Sequence, residues 1–384
     1  MIRIAENWLT SPATQRVCKV LTDGGAQALF VGGCVRNALL GAPVSDIDIS
    51  TNVHPERVME LAKAAGIKAV PTGIEHGTVT LVQAGEPFEI TTFRRDVETD
   101  GRRAVVAFAD TIEEDAARRD FTMNAIYAQP DGTVIDPLGG LPDLHARRVR
   151  FIGTAAHRIR EDFLRSLRFF RFHAWYGDAE AGFDADSLAA IADNLVGLER
   201  LSRERVGAET LKLLGAPDPA PSVAAMRTSG VLGALLPGAD DRALAPVVHF
   251  EGELGRSPDP LLRLAALCGA EVVGTLRLSK AQLKAVSSLR AAASGTASAA
   301  ELGYRLGADP ALATMILRSA QLEMPLAADV TRDVEKGARA VFPVTAKDLL
   351  PDYKGRELGG KLSQLERDWI ESGFALTRAN LLST

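Results

Sequence analysis

Along the first 150 residues the apolar positions switch repeatedly between two periods. Ala28, Leu29, Phe30 and Val31 form an unbroken apolar run that predicts a buried strand. The segment from Val35 to Leu40 has helical spacing and is closed by Gly41, which places Gly32 and Gly33 at a strand-to-helix turn. Residues 45–50 then alternate as in a half-buried strand, and the period of two puts Asp46 and Asp48 on one face. Further strands are predicted over 78–82, 88–92, 105–108 and 133–136, and helices over 55–65 and 111–117. Beyond Gly153 the strand pattern nearly vanishes, and stretches rich in Ala, Leu and Arg predict helix to the C-terminus. The fold class is therefore α+β: a head with a mixed or antiparallel sheet, followed by an all-helical remainder.

Breaker clusters at Gly215-Ala216-Pro217-Asp218-Pro219 and Arg256-Ser257-Pro258-Asp259-Pro260 interrupt the helical part. The stretch 290–300, rich in Ala and Ser, is a weakly packed helix and loop or a linker. The expected division is a helical segment over 1–25, the head over 26–152, a helical neck over 153–215, a body over 216–300 and a tail over 301–384. No internal repeat stands out.

A chain of 384 residues suggests two to four domains and ample core. The net charge of -5 argues against nucleic acid as a partner until its distribution is considered. Between Arg147 and Arg171 eight arginines face two carboxylates, and a local basic excess counts for more than the total. Cys18, Cys34 and Cys268 are odd in number and lack metal-site spacing, which fits a reducing cytosol. No apolar run approaches the roughly 20 residues a membrane span needs, so a soluble cytoplasmic protein is expected.

The chemistry concentrates in three strings. In the first, Gly32-Gly33-Cys34-Val35-Arg36 offers backbone N–H groups to a phosphate, and Asp46 and Asp48 are paired hard oxygen ligands suited to Mg²⁺. Glu89 is the best third carboxylate, brought alongside if its strand forms a hairpin with the Asp46/Asp48 strand; otherwise it is an exposed strand residue. In the second, Arg118-Arg119-Asp120-Phe121-Thr122-Met123-Asn124 combines groups able to hold a triphosphate and a ribose, or else forms a charged helix end before a buried strand. The third runs from Arg158 through Glu161-Asp162 and Arg165 to Arg168 and Arg171, predicted as one helix. Asp162 only accepts and Arg165 only donates, so together they match a base edge with an amino group beside an acceptor, as in cytosine and adenine. The alternative is a surface i,i+3 ion pair.

Taken in this order, the three strings resemble the class II CCA-adding tRNA nucleotidyltransferase and bacterial poly(A) polymerase family of the DNA polymerase β superfamily. The resemblance covers about residues 26–214 and includes Gly77-Thr78-Val79-Thr80, Thr91-Thr92-Phe93-Arg94 and Leu201-Ser202-Arg203-Glu204-Arg205. It implies a polymerase β-like catalytic head with two Mg²⁺ ions held by Asp46, Asp48 and Glu89. Gly33, Arg36, Arg119 and Arg118 would then contact the triphosphate, with Asp120 and Asn124 at the sugar. Asp162 and Arg165 would read C or A without a nucleic-acid template, and Arg168 and Arg171 would add charge and base contacts. A mobile loop is implied over 96–103. Asn37 departs from the family, which usually has Asp after the arginine. At the C-terminal end Gly355-Arg356-Glu357-Leu358-Gly359 resembles the family tail, with Lys354, Arg356 and Lys361 available to RNA phosphates; a generic turn before a helix fits the same residues.

The function so implied is addition of C, C and A to the tRNA 3′ end from CTP and ATP, with no membrane and no obligate protein partner. The alternatives are a poly(A) polymerase and a non-catalytic RNA-binding relative. Residues 350–384 carry five basic and five acidic side chains, which disfavours the basic RNA grip of a poly(A) polymerase. After His173 only His249 remains, so an added metal-dependent phosphohydrolase domain is not expected.

Overall fold

The protein is described here by a computed structural model that covers residues 2–100 and 103–383; residues 96–100, 103–106 and 270 are described by their backbone alone. Two compact units emerge, Met1–Leu235 and Leu236–Thr384.

The first unit is built on a seven-stranded mixed sheet in the order β3-β4-β5-β2-β1-β8-β9. The strands are β1 (Leu29–Val31), β2 (Asp48–Thr51), β3 (Lys68–Gly73), β4 (Thr78–Gln83), β5 (Glu86–Thr92), β8 (Tyr127–Ala128) and β9 (Val134–Ile135). A separate hairpin pairs β6 (Arg94–Asp100) with β7 (Arg103–Phe108). Only β2 and β5 run parallel; the other pairings are antiparallel. One side of the sheet is covered by helices Pro12–Asp23 and Pro55–Ala64. In the first of these Ser11 caps the N-terminus, Pro12 fills the first turn, and Val17, Cys18 and Leu21 are buried at helical spacing. A second cluster joins Leu29, Val31, Phe93, Ala116, Ala125, Tyr127 and Ile152. The helix Leu164–Tyr176 is tied to the head by tilted aromatic contacts, with Phe121 lying 4.8 Å from Phe172 and 4.9 Å from Phe151 between ring centroids.

The departures from expectation have local causes. The predicted 45–50 strand starts only at Asp48, so Asp46 precedes the sheet. Glu89 reaches Asp48 as a register partner on a parallel neighbour, not through a hairpin, because the helix Pro55–Ala64 and the β3–β4 pair intervene in the chain. The strands at 68–73 and 127–128 escaped the pattern: the first, at the sheet edge, has little burial to create alternation, and the second is only two residues long. Most of the expected loop over 96–103 has strand backbone that pairs Asp96 with Val106 and Asp100 with Arg103, while Gly101 and Arg102 lie outside the described residues.

The single helix expected from Arg158 to Arg171 is two, Ala155–Glu161 and Leu164–Tyr176. Asp162 is extended between them, with φ -153° and ψ 105°, and its Oδ1 accepts from the Leu164 N–H at 3.1 Å. An aspartate that satisfies the next helix's backbone competes with continuing its own. The first unit also extends past the 215–219 breaker, because helix Ala220–Thr228 packs on helix Leu164–Tyr176 and Ser222 Oγ lies 3.2 Å from His173 Nδ1.

The described residues of the second unit are helices and their connections, without strands. Helices Ala299–Leu306 and Val330–Arg339 cross at paired glycines: a Cβ on Gly303 would stand 2.1 Å from the Val334 carbonyl oxygen, and one on Gly337 1.7 Å from that of Ala300. Only glycine allows that approach. Arg263 and Glu251, both nearly inaccessible, pair at 2.8 Å. Helix Gly355–Glu371 packs through Leu365 and Trp369 onto Val344, Leu349 and Leu381.

Candidate active site

The turn after β1 is made possible by Gly32, whose φ of 72° is costly for any residue with a side chain, and the next residue opens helix Gly33–Leu40. The turn borders a cleft of about 660 Å³ lined by Gly33, Arg36, Asp46, Asp48, Arg118, Arg119, Asp120, Asn124, Asp162, Arg165, Arg168 and Arg171. Residues widely separated in the chain thus converge on one cavity. Glu89 is not in its lining but is exposed on β5, directly beside Asp48. Phe172, Arg94, Arg205 and Lys212 also line the cleft. Lys212 and Phe172 carried no chemical signal in the sequence; their helical faces alone could have suggested them.

On the carboxylate side, Asp48 is half-buried and Asp46 is exposed, its Oδ2 accepting from Ser45 Oγ at 3.0 Å. Burial lifts the Asp48 carboxyl to about 6; the Glu89 charge adds to this, Arg119 opposes it and Asp46 adds again. Negative charge is in excess there. Among the described residues, however, no three His, Cys, Asp or Glu side chains are already gathered into a metal-ligand set.

The opposite wall is saturated with partners. Asp115, fully buried, accepts from Arg118 Nε at 2.9 Å, Arg119 Nη2 at 2.9 Å and Tyr127 Oη at 2.7 Å. Burial alone would raise its pKa, but Arg119, Arg118 and the Tyr127 hydroxyl outweigh it and bring the carboxyl to about 2. Arg119 also donates to Ser50 Oγ at 3.3 Å, and its Nη1 faces Gly32, where a Cβ would stand 3.6 Å away. Asp120 has each oxygen doubly engaged: Oδ1 accepts from the Phe121 N–H and Asn124 Nδ2, both at 2.9 Å, and Oδ2 accepts from Arg168 Nε and Nη2 at 2.8 and 2.5 Å. Burial pushes against its ionised form, yet Arg168 and these hydrogen bonds hold its carboxyl down at about 2. Asp115 precedes Arg118 and Arg119 by three and four residues, and that helical spacing was the sequence signal for it.

At the neck the Arg165 N–H donates to the Asp162 carbonyl at 2.9 Å, but their side chains pair elsewhere, so the surface ion pair does not form. Arg205 Nη2 donates to Asp162 Oδ2 at 2.6 Å. Arg165 pairs with Glu161 and donates to the Arg158 carbonyl at 3.1 Å and the Arg118 carbonyl at 3.3 Å. Arg171 Nε donates to Glu209 Oε2 at 2.6 Å. Helix Arg203–Leu214, capped by Ser202, thus supplies partners to the helix facing the cleft. In the second unit Lys354 and Arg356 are exposed and Lys361 half-buried at the start of helix Gly355–Glu371; none is in an ion pair among the described residues.

Residues 28–150 match the family model described as the poly A polymerase head domain, and residues 182–242 match the one described as the probable RNA and SrmB-binding site of polymerase A. The mitochondrial CCA tRNA nucleotidyltransferase 1 of Mus musculus is 32 % identical over 386 residues, covering 92 % of this chain and 85 % of its own. The chain belongs to the class II CCA-adding and poly(A) polymerase family. Within that family, the CCA-adding enzyme of Geobacillus stearothermophilus is 42 % identical over 224 residues, 58 % of this chain and 54 % of that one. The solved structure of the Bacillus stearothermophilus CCA-adding enzyme in complex with CTP is 28 % identical, with a TM-score of 0.74 and 94 % of both chains covered. That of the Thermotoga maritima enzyme complexed with tRNA, at 19 % identity and TM-score 0.71, shares the family fold over 96 % of this chain.

Proposed function

We propose that this chain is a template-independent tRNA nucleotidyltransferase that adds C, C and A to the 3′ end of tRNA from CTP and ATP. The observation that carries the reading is the single cleft in which a glycine turn, a carboxylate edge and an arginine wall meet the neck residues Asp162 and Arg165. The names of the relatives agree with it.

In the reaction an RNA 3′-hydroxyl oxygen bonds to the α-phosphorus of the nucleotide, the bond to the bridging α–β oxygen breaks, and pyrophosphate leaves. The donor set fits a hard divalent cation: Asp48 and Glu89 sit side by side, Asp46 lies exposed two residues before Asp48, and burial together with the Glu89 and Asp46 charges lifts the Asp48 pKa. Asp46 and Asp48, with Glu89, would hold two Mg²⁺ ions. Such ions, when bound, lower the pKa of the attacking hydroxyl and neutralise charge on the leaving group. Gly33, Arg36, Arg118 and Arg119 orient the triphosphate, so catalysis rests on positioning and charge. Asp120 and Asn124 act at the sugar end by holding Arg168 and Arg36, because the Asp120 oxygens are already fully engaged. Asp162 and Arg165 present an acceptor and donors to the amino-bearing edge of C or A. Lys354, Arg356 and Lys361 contact RNA phosphate.

The three cysteines are buried and unpaired, and no helix among the described residues is long and apolar enough to cross a membrane. A reducing compartment such as the cytoplasm suits such thiols.

Primer extension tests the function. A tRNA lacking its 3′ end, with Mg²⁺, should gain two C residues with CTP alone and stop after one A when ATP is added. An open ladder of A would instead make the chain a poly(A) polymerase, the reading favoured by the name of the head-domain model. No incorporation would make it a non-catalytic RNA-binding relative.

A further inference from the structure

Arg36 is only 6 % exposed, yet no carboxylate bonds it. Its Nε and Nη2 donate to Asn37 Oδ1 at 3.1 and 2.9 Å, its Nη1 to Asn124 Oδ1 at 2.5 Å, and its Nη2 also to Tyr176 Oη at 2.8 Å. All these acceptors are neutral. The guanidinium carbon lies 3.9 Å from the centroid of the Tyr176 ring and 5.1 Å from that of Phe172, so the aromatic faces fix its plane. Four of its five N–H groups are engaged, which leaves one N–H on Nη1 beside Gly33 in the cleft, and Asp120, the carboxylate whose charge favours it, is bonded to Arg168 instead. A buried guanidinium bonded only to neutral acceptors is suited to an anion, because an anionic ligand adds a direct charge-assisted hydrogen bond that the protein does not make.

Tyr176 is the last residue of helix Leu164–Tyr176, which also carries Arg165 and Arg168. Arg168 bonds Asp120, Asp120 accepts from Asn124, and Asn124 accepts from Arg36, so a circuit of hydrogen bonds leaves this helix at Arg168 and returns to it at Tyr176. One helix therefore carries base-facing groups in its first turns and holds the arginine of the phosphate turn with its last residue.

We propose that Tyr176 is a positioning residue that holds Arg36 in place for the triphosphate, so that the base-facing helix also sets the phosphate anchor. This rests on the nucleotidyltransferase reading of the cleft. Tyr176→Phe keeps the ring and removes one acceptor, and the hydrogen bond so lost corresponds to about a three- to tenfold change in affinity. The expected result is that the KM for CTP and the KM for ATP rise by the same factor in that range, with kcat and melting temperature close to wild type.

Equilibrium binding without tRNA separates this role from a merely structural one. CTP and pyrophosphate should bind Tyr176→Phe more weakly by the same factor, whereas CMP, which lacks the β- and γ-phosphates, should bind as it does to wild type. Arg36→Gln should abolish the difference, so that adding Tyr176→Phe to it causes no further loss. Tyr176→Leu, lacking the ring as well, should weaken CTP more than Tyr176→Phe does. Equal loss of CTP and CMP, or wild-type CTP and pyrophosphate affinity in Tyr176→Phe, would overturn the proposal. Wild-type tRNA extension is scored separately, so failure of the broader functional reading is not mistaken for failure of this one.

Discussion

The two walls of the cleft solve opposite problems. On the carboxylate edge, Asp46 and Glu89 are exposed and Asp48 is half-buried, with like charges around it and a pKa lifted to about 6. On the arginine wall, Asp115 and Asp120 are buried, surrounded by guanidiniums, and held at about 2. The first wall is left electrostatically unfinished, and the second is complete without a ligand. An unfinished site costs stability and gains it back from whatever cation it binds, whereas a satisfied network makes a rigid frame. Function and stability should therefore separate across the cleft.

The sharpest test is on the unfinished wall. Asp48→Ala and Asp46→Ala should each cut nucleotide addition by about a thousandfold or more, as expected when groups that stabilise transition-state charge are lost. Neither should lower the melting temperature, and relief of repulsion should raise it slightly for Asp48→Ala. Near-normal turnover in steady-state extension would remove the metal assignment. Loss of folding on a thermal scan would remove the contrast between the walls.

On the other wall the order should invert. Asp115→Asn leaves two partly buried arginines without their carboxylate and should cost about 3 kcal/mol of stability, measured by chemical denaturation, because breaking an ion pair whose carboxylate is buried strands the remaining charges. Acid should have the same effect. Asp115 and Asp120 have folded-state pKa values depressed to about 2 from 3.8, so the stability they confer is present above about pH 4 and is lost as pH falls toward 2. The amount is roughly 2 kcal/mol for each group. Asp115→Asn should flatten that part of the pH–stability curve. An unchanged acid transition in this variant would mean that the pairs contribute nothing to the fold.

Much of this cleft was legible in the sequence because its groups lie in short strings with fixed spacing. The glycine turn, Asp48 and the Arg118-to-Asn124 string follow from local rules that tertiary structure did not override. What stayed hidden depends on partners distant in sequence. The parallel pairing of Asp48 with Glu89 needs a crossover that no window reveals. Periodicity suggested an unbroken helix through Asp162, whose carboxylate instead satisfies the following helix and Arg205. Tyr176 belongs to none of the three strings, and only the fold brings it to Arg36, 140 positions away.

Base choice lies between the two walls and should respond on a smaller scale. Arg165 is held by Glu161 and by the backbone carbonyls of Arg158 and Arg118, so its donors are already oriented. Arg165→Ala should reduce discrimination of C and A against U and G by about ten- to a hundredfold in kcat/KM, the range set by losing one or two directed hydrogen bonds. Misincorporation assays with single nucleotides would read this directly. Unchanged nucleotide choice would mean that Asp162 and Arg165 are a structural element of the neck.

The smallest effect is expected in the second unit, where Lys354, Arg356 and Lys361 stand at the start of helix Gly355–Glu371. They resemble neither wall: no carboxylate is ion-paired with them among the described residues. Unpaired surface cations of this kind add affinity for a phosphate backbone only through released counterions, so each is worth little and the sum depends on salt. Replacing all three by alanine should weaken tRNA binding a few-fold at moderate salt. It should also lower the slope of log affinity against log salt by about two to three, while the KM for CTP stays unchanged. A full slope with weakened CTP binding would place their effect at the nucleotide, and a full slope with unaltered affinity would leave the segment as a turn before a helix.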